Sequence, residues 1–373
     1  MIRILHSVSN MDRAGIETML MNYYRHIDRN RVQFDFLCNK TKPGDYDEEI
    51  VKLGGKIFHT PGLNPFIYRN YLKYMHSLFK EHPEYKIVHA HNGALVVYPL
   101  FAAKKEKIPH RISHVHSASF TIDYKWPLKM VCRPLIPFCA NYEWGCGIAA
   151  SKFYYGEKQF EQGKTRVINN AIEIESFLFN AQIRERLRKQ YDLNGKVVIG
   201  HAGRFMLQKN HMFLIDIFAQ IVKKESKAVL VLLGEGELFK EVQAKVNSLG
   251  LKDSVLFQGN VNNVNEWYQA MDVFVLPSIW EGLPVVGIEA QTADLPCVFS
   301  DDVTKEVDLI PTNKFLSRKL SVDQWAEEIL QSAKKKIRVC RKKEIQDAGY
   351  DINIEAEKLV QLYEDMVACR TVV

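Results

Sequence analysis

The sequence predicts two consecutive α/β domains, each a doubly wound parallel sheet covered by helices on both faces. Three observations carry that expectation. At 373 residues the chain exceeds one typical domain. Short apolar runs alternate with segments of helical periodicity, as parallel strands do when crossover helices join them. The alternation then restarts in the second half with "KVVIGHAGR" (196–204).

The first series opens with "IRILHSV" (2–8) and a small-residue turn, "SNMDRAG". A helix follows, with Ile16, Met19, Leu20 and Tyr23 on one face. The runs "VQFDFLC", "KIFHT", "KIVHAH" and "HRISHVH" supply the remaining readable strands. The junction falls near 171–195, where "AIEIESFLFN" and the charged helix "AQIRERLRKQYDL" separate the two series. After "KVVIGHAGR" come the helix "HMFLIDIFAQIVKK", the strand "AVLVLLGEG" and the helix "LFKEVQAKVNSLG". "SVLFQGN", the helix "VNEWYQAM", "VFVLP", the segment "EGLPVVGIEA" (281–290) and "PCVFS" complete a set of about five strands. Residues 1–172 and 173–354 are therefore the expected domains. The final helix, "IEAEKLVQLYEDMVA", is not assigned to either by its pattern alone.

Composition narrows the function classes. Apolar content of 47% and charged content of 25% are ordinary globular values. The 7 cysteines form no CxxC pair, which argues against a disulfide framework and a zinc site. The opening residues turn polar too soon for a secretion signal. The longest clean apolar run, 94–103, is half the length of about 20 residues that a bilayer span needs. The expected location is the cytosol. Residues 1–172 carry 24 Lys and Arg against 15 Asp and Glu, whereas the remainder carries 26 against 29. A basic first half fits an anionic membrane surface, a nucleic acid or merely a solvated basic face. No RNA-type aromatic-basic motif or recognition helix stands out, so nucleic acid is set aside. The mixed aromatic, aliphatic and basic stretches 66–80 and 124–138 suit either a membrane interface or packing against a sheet.

In open α/β sheets ligands bind beyond the carboxyl ends of strands, so chemistry is sought there. "GHAGRFMLQKNH" follows a strand and places Arg204 and Lys209 before a helix. These cations suit a diphosphate clamp, and equally a turn with surface cations. "LLGEGE" (232–237) puts glycines after a strand, where a base or ribose could lie against backbone. Glu281 falls in the loop after "VFVLP", and Pro284 suits the first turn of the next helix. The free N–H groups of that turn favour an anion. Glu289 lies roughly 7–8 Å further along the axis, and carboxylates accept hydrogen bonds from vicinal hydroxyls. Gly15 opens the first helix, where it permits close approach to phosphate or sugar. Neither GxGxxG nor a P-loop is present. "HAHNG" and "SHVHS" put His89, His91, His114 and His116 at strand ends, but further ligands at familiar zinc spacing are missing. No strand-end Asp-x-Asp appears, and no metal or cofactor is expected.

With these residues assembled, the chain resembles a retaining GT-B glycosyltransferase of family four, of the kind that builds bacterial exopolysaccharide or capsule. The resemblance runs nearly end to end. It rests on "RAGIETMLMNYYRHID", "VQFDFLC", "GHAGRFMLQKNH", the segment 257–301 with its Glu-x7-Glu element, and the terminal helix. It implies two Rossmann-like domains facing across a cleft, with the C-terminal helix, about 355–373, crossing back to the first. It further implies that Arg204 and Lys209 bind the donor diphosphate, Glu289 the ribose hydroxyls and Glu281 the donor sugar. Gly282, Leu283, Pro284 and Val285 would hold sugar and β-phosphate, and Asn260 and Val261 would meet the base. Gly15 would lie under the diphosphate, and His116 near donor sugar and acceptor. Ala14 departs from the frequent second glycine, and "NNAIE" (169–173) from the usual hinge sequence.

The expected reaction is metal-independent transfer from a UDP-sugar to a saccharide or lipid-linked saccharide, with retention. Peripheral association with the inner face of an anionic cytoplasmic membrane is expected alongside it. A non-hydrolysing UDP-sugar epimerase of the same fold is an alternative. So is a non-catalytic sugar-nucleotide-binding subunit, against which the intact candidate residues argue.

Overall fold

The structure, a computed structural model, describes residues 1–63, 68–117, 125–335 and 337–368. It divides into two compact units, 1–172 with 349–373 and 173–348. Each unit is built on one sheet whose recorded strand pairs are all parallel.

Unit 1 contains β1 (Ile2–Val8), β2 (Val32–Cys38), β3 (Ile57–His59), β4 (Ile87–Ala90), β5 (His110–Val115), β6 (Tyr142–Gly145) and β7 (Thr165–Val167). Their order is β3-β2-β1-β4-β5-β6-β7, so the winding reverses between β1 and β4. "VQFDFLC" is buried along its whole length and apolar except at Gln33 and Asp35, the latter paired with Arg3 of β1. Ile4, Phe34 and Phe36 face one core with Leu20 and Tyr24 of the helix Gly15–His26. Leu5, Leu37 and Val88 face the other with Tyr71, Met75 and Leu78 of the helix Tyr68–Glu81. That helix thus spends its aromatic face on the core. Residues 66 and 67 of the corresponding sequence stretch lie outside the described residues.

The second mixed stretch, 124–138, is not one helix. It breaks into Trp126–Cys132, a 3-10 turn Arg133–Leu135 and Ile136–Cys139. Pro134 and Pro137 lack the N–H that a continuous helix would use, so the axis restarts at each. Residue 124 is not among those described.

Unit 2 contains β8 (Val197–Ala202), β9 (Ala228–Leu233), β10 (Val255–Gly259), β11 (Val273–Leu276), β12 (Cys297–Ser300) and β13 (Lys314–Leu316). Their order is β10-β9-β8-β11-β12-β13, with the reversal between β8 and β11. Ile199, Leu230, Val273 and Val298 pack with Leu214, Phe218 and Trp325 in its core.

The chain returns to unit 1 at Gly349, ahead of the position expected from the terminal helix alone. A backbone bridge explains this. Ile172 N–H donates to Tyr350 O at 2.9 Å, and Ile352 N–H donates to Ile172 O at 3.0 Å. Asp351 then caps the helix Ile352–Val367 by accepting from Asn353 N–H. Leu359, Val360, Tyr363 and Met366 of that helix are buried in the unit 1 core. Arg31 pairs with its outer face through Glu357 and Glu364, at 2.7 and 2.6 Å.

Candidate active site

In unit 2 the candidate residues gather beyond the carboxyl ends of β8 and β11, at the winding reversal where such sheets bind ligands. The loop after β8 is pinned to its neighbour. Gly203 N–H donates to Leu233 O and Phe205 N–H to Glu235 O, both at 2.9 Å. Gly234, at φ +128°, lets this happen: a Cβ there would sit 2.3 Å from Gly203 O. A short 3-10 turn, Leu207–Lys209, ends at Asn210 in the left-handed region. Ile279 N–H donates to Gln208 O at 2.8 Å, tying this turn to the loop after β11.

That tie brings Lys209 to Glu281. The ammonium lies 2.5 Å from Glu281 Oε1, and Ser278 Oγ donates to the same oxygen at 3.1 Å. Both side chains are largely withdrawn from water, at 15% and 9% exposure. The charge expected to serve a diphosphate is thus partnered by the carboxylate expected to serve a sugar. Arg204 differs. Its side chain is 67% exposed and, among the described residues, its ion-pair partner is Glu237 at a long 3.9 Å, a contact loose enough to yield to an anion.

Pro284 is the cap of the helix Val285–Thr292 rather than a residue of its first turn. Its carbonyl accepts from Gly287 N–H at 2.9 Å, so the N–H groups of Val285 and Val286 precede the helix's own bonding. Gly282 and Leu283 lead into this end from Glu281. Glu289 sits a turn further on, its Oε2 accepting from Tyr268 Oη at 2.9 Å. Burial pushes its carboxyl up to about 7, against the downward pull of that hydrogen bond.

A cavity of about 720 Å³ opens beyond β9 and β10, lined by Glu235, Gly236, Glu237, Phe239, Phe257 and Gly259 among others. Asn260 borders it, donating from Nδ2 to Glu235 Oε2 at 3.3 Å, and Val261 follows. Backbone glycines, a phenyl ring and carboxylates in one cavity can meet a flat base and its ribose.

Unit 1 holds the other candidates. Gly15 is the first residue of its helix, and a Cβ there would meet nothing within 4 Å. Packing within the described residues therefore gives no reason for glycine at this position. His116 lies just past β5, where its Nε2 pairs with His91 Nδ1 at 2.9 Å. His91 Nε2 in turn pairs with His6 Nδ1 at 3.0 Å. A parallel chain joins His114 Nδ1 to His89 Nε2 at 3.1 Å and His89 Nδ1 to Tyr363 Oη at 2.8 Å. Burial holds His6 and His116 down at about 3 and the other three well below the usual imidazole range. They are neutral rings, each able to give one proton and accept another. The fold thus supplies the third ligand that linear spacing lacked. Ring nitrogens of His6, His89 and His91, and of His91, His114 and His116, lie within 4.8 Å of one another and could hold an ion. In the structure these rings bond to each other.

His6 was the member that sequence spacing missed, because β1 and β4 become neighbours only in the sheet. Tyr268 and Ser278, which hold the two glutamates, were also missed.

The chain as a whole is similar to known proteins in sequence and fold. Residues 13–176 match the family described as Glycosyltransferase Family 4, and 183–347 match Glycosyl transferases group 1. The chain is 34% identical over 370 residues to EpsF of Bacillus subtilis (strain 168), named as a glycosyltransferase, covering 97% of this chain and 96% of that one. It is 25% identical over 393 residues to an Escherichia coli UDP-Gal:α-D-GlcNAc-diphosphoundecaprenol α-1,3-galactosyltransferase, covering 98% and 97%. In fold it is similar to Anabaena Alr3699/HepE, solved with UDP and glucose, at TM-score 0.76 and 17% identity over 99% of this chain and 100% of that one. Similarity to the lipopolysaccharide glycosyltransferase WaaG is also end to end, with TM-score 0.66, 12% identity and coverage of 98% and 99%. Matched along its whole length by EpsF and folded as two parallel-sheet units, the chain belongs to the family 4 glycosyltransferases of the GT-B fold.

Proposed function

We propose that the chain transfers a sugar, with retention, from a UDP-sugar to a lipid-linked saccharide during exopolysaccharide or capsule synthesis. The observation that carries this reading is the Lys209–Glu281 pair with Glu289 on the helix that follows. When donor enters, Lys209 exchanges Glu281 for the diphosphate, and Arg204 swings in from solvent. Glu281 is then released to accept from sugar hydroxyls, while Glu289 accepts from the ribose. The N–H groups at Val285 and Val286 face the phosphate end, and the base occupies the cavity beside Asn260 and Val261. Negative charge grows on the departing nucleoside diphosphate, and these preorganised donors stabilise it without a metal. A departing phosphate oxygen takes the acceptor hydroxyl's proton as the new bond forms on the face the diphosphate leaves. In unit 1, Gly15 and His116 carry the proposed contacts with donor and acceptor.

Support for the donor comes from HepE, whose structures contain UDP and UDP-glucose. Support for the acceptor comes from the E. coli relative, whose name gives a diphosphoundecaprenol-linked sugar. The Staphylococcus aureus relative CapH is named for capsular polysaccharide biosynthesis, with 25% identity over 375 residues. No helix among the described residues is long and apolar enough to cross a membrane, so the proposed meeting with a lipid-linked substrate is peripheral. The direct test is saturation-transfer NMR with a panel of UDP-, ADP- and GDP-sugars. A UDP-sugar should give the strongest transfer to its uracil protons. Binding of an ADP- or GDP-sugar with none from any UDP-sugar would refute the donor assignment.

A further inference from the structure

His201, the next-to-last residue of β8, precedes the loop that carries Arg204 and Lys209, and it is fully buried. Its Nδ1 lies 2.8 Å from Val275 O of the adjoining strand β11. A carbonyl oxygen only accepts, so Nδ1 carries the proton. Burial holds the ring down at about 4, against the upward pull of that hydrogen bond and helped by the charge of Lys209. The imidazole is therefore neutral, and its Nε2 is a bare lone pair. That nitrogen is buried with no hydrogen-bond partner among the described residues. Leaving a buried acceptor unmade is costly, so its placement needs a reason.

Gly203 shows what the lone pair adjoins. A Cβ on Gly203 would lie 3.2 Å from His201 Nε2, 3.1 Å from Lys209 Cδ and 3.2 Å from Lys209 Cε. The ring nitrogen and the end of the lysine stem thus flank one side of Gly203, where no side chain separates them. Lys209 directs its ammonium to Glu281, a bond that uses one of three N–H donors. Rotation about the last bonds of the stem can carry the ammonium from Glu281 towards Nε2. A neutral acceptor suits that place. A second carboxylate would compete with a diphosphate for the lysine, whereas an imidazole lone pair directs the ammonium and leaves its charge intact.

We propose that His201 is a positioning residue of the donor site, its Nε2 accepting from the Lys209 ammonium once a diphosphate has displaced Glu281. Gly203 keeps the gap between them open. The inference rests on the reading of Lys209 as a diphosphate ligand and adds the group that aims it.

Isothermal titration calorimetry of the full chain with UDP tests it on a set of variants. Lys209→Met with Glu281→Gln tests the underlying reading and should weaken UDP by about tenfold or more. His201→Asn keeps an N–H where Nδ1 stood, for Val275 O, and places nothing at Nε2. It should fold and bind UDP about tenfold more weakly, the share of one hydrogen bond to a charged group. His201→Gln puts an amide oxygen at the Nε2 position and gives up the Val275 bond. It should melt lower than His201→Asn yet recover most of the affinity, an order that a merely structural ring would not produce. Gly203→Ala leaves the imidazole intact, wedges a methyl group beside it and should match His201→Asn. Nitrogen NMR of isotope-labelled histidine should show an unprotonated His201 Nε2 that moves upfield when wild type binds UDP. Undiminished UDP binding by His201→Asn, equal losses in His201→Asn and His201→Gln, or a protonated Nε2 overturns the proposal. Should His201→Asn fail to fold, Gly203→Ala decides by the same measure. Undiminished UDP binding by the Lys209→Met/Glu281→Gln variant would instead contradict the donor reading beneath it.

Discussion

Lys209 and Glu281 show how a residue's role depends on its partner. Each removes the cost of burying the other, so neither can be deleted alone without leaving a charge in a poorly solvated place. Lys209→Ala should therefore cost about 3 kcal/mol and lower Tm by about 8 °C. Lys209→Met with Glu281→Gln should recover most of the loss, as calorimetry can check. A Tm for Lys209→Ala within a degree of wild type would mean the pair is not formed in solution. Glu289 makes a pH prediction. Its folded carboxyl sits at about 7, above the ordinary 4.5, so the native protein holds a proton that the unfolded chain releases. Its contribution to stability is fully present below about 4.5 and is lost as pH rises towards 7. Ribose hydroxyls donate better to a carboxylate than to a carboxylic acid, so ligand and proton compete. UDP-glucose, a diester that does not titrate in this range, should bind more tightly as pH rises through about 7, and Glu289→Gln should flatten the rise. A wild-type profile already flat from acid to neutral pH would remove Glu289 from the ribose site.

At the scale of elements, sequence pattern served where an element is buried on both sides. β9 is apolar throughout because two layers cover it, β2 is buried throughout and apolar except at Gln33 and Asp35, and both were readable. The edge strands β7 and β13, and β6 next to β7, are short and only partly buried, so "YEWG", "TRV" and "KFL" left no run to find. The segment 126–139 is divided by its prolines into three short pieces, which its aromatic-basic composition did not foretell. What survives is its surface character. Val131, Leu135 and Phe138 are 64%, 42% and 69% exposed beside Lys129 and Arg133. Large apolar side chains exposed among cations favour an anionic bilayer surface. Wild type should pellet with phosphatidylglycerol vesicles, and Val131→Asp/Phe138→Asp should reduce the bound fraction at least tenfold, given about 1.5 kcal/mol or more for each buried apolar side chain. Equal recovery of both proteins from neutral and anionic vesicles would rule this surface out.

For the whole molecule, charge and topology divide the work. Residues 1–172 with 349–373 carry 26 Lys and Arg against 20 Asp and Glu, while 173–348 carry 24 against 24, so the net +6 belongs to unit 1. That excess fits an anionic acceptor and membrane, and the neutral unit 2 suits a donor held by local pairing. The candidate site was legible where one stretch carries it. Pro284 separates Glu281 from Glu289 in the sequence as it does in the fold, shifted by one position at the helix cap. Pairings across the sheet were not legible, because Lys209 and Glu281 stand 72 residues apart and His6 and His91 stand 85 apart. Only the strand order makes them neighbours.

In the proposed reaction Arg204, with Lys209, carries the charge of a departing nucleoside diphosphate. Arg204 is the cleaner probe, since its exposed side chain holds no core together. The decisive measurement is UDP release with a UDP-sugar and a lipid-diphosphate saccharide, comparing wild type with Arg204→Ala at equal folded concentration. Turnover should fall by about 10²-fold to 10³-fold with Tm unchanged. Turnover within threefold of wild type would remove Arg204 from the diphosphate site.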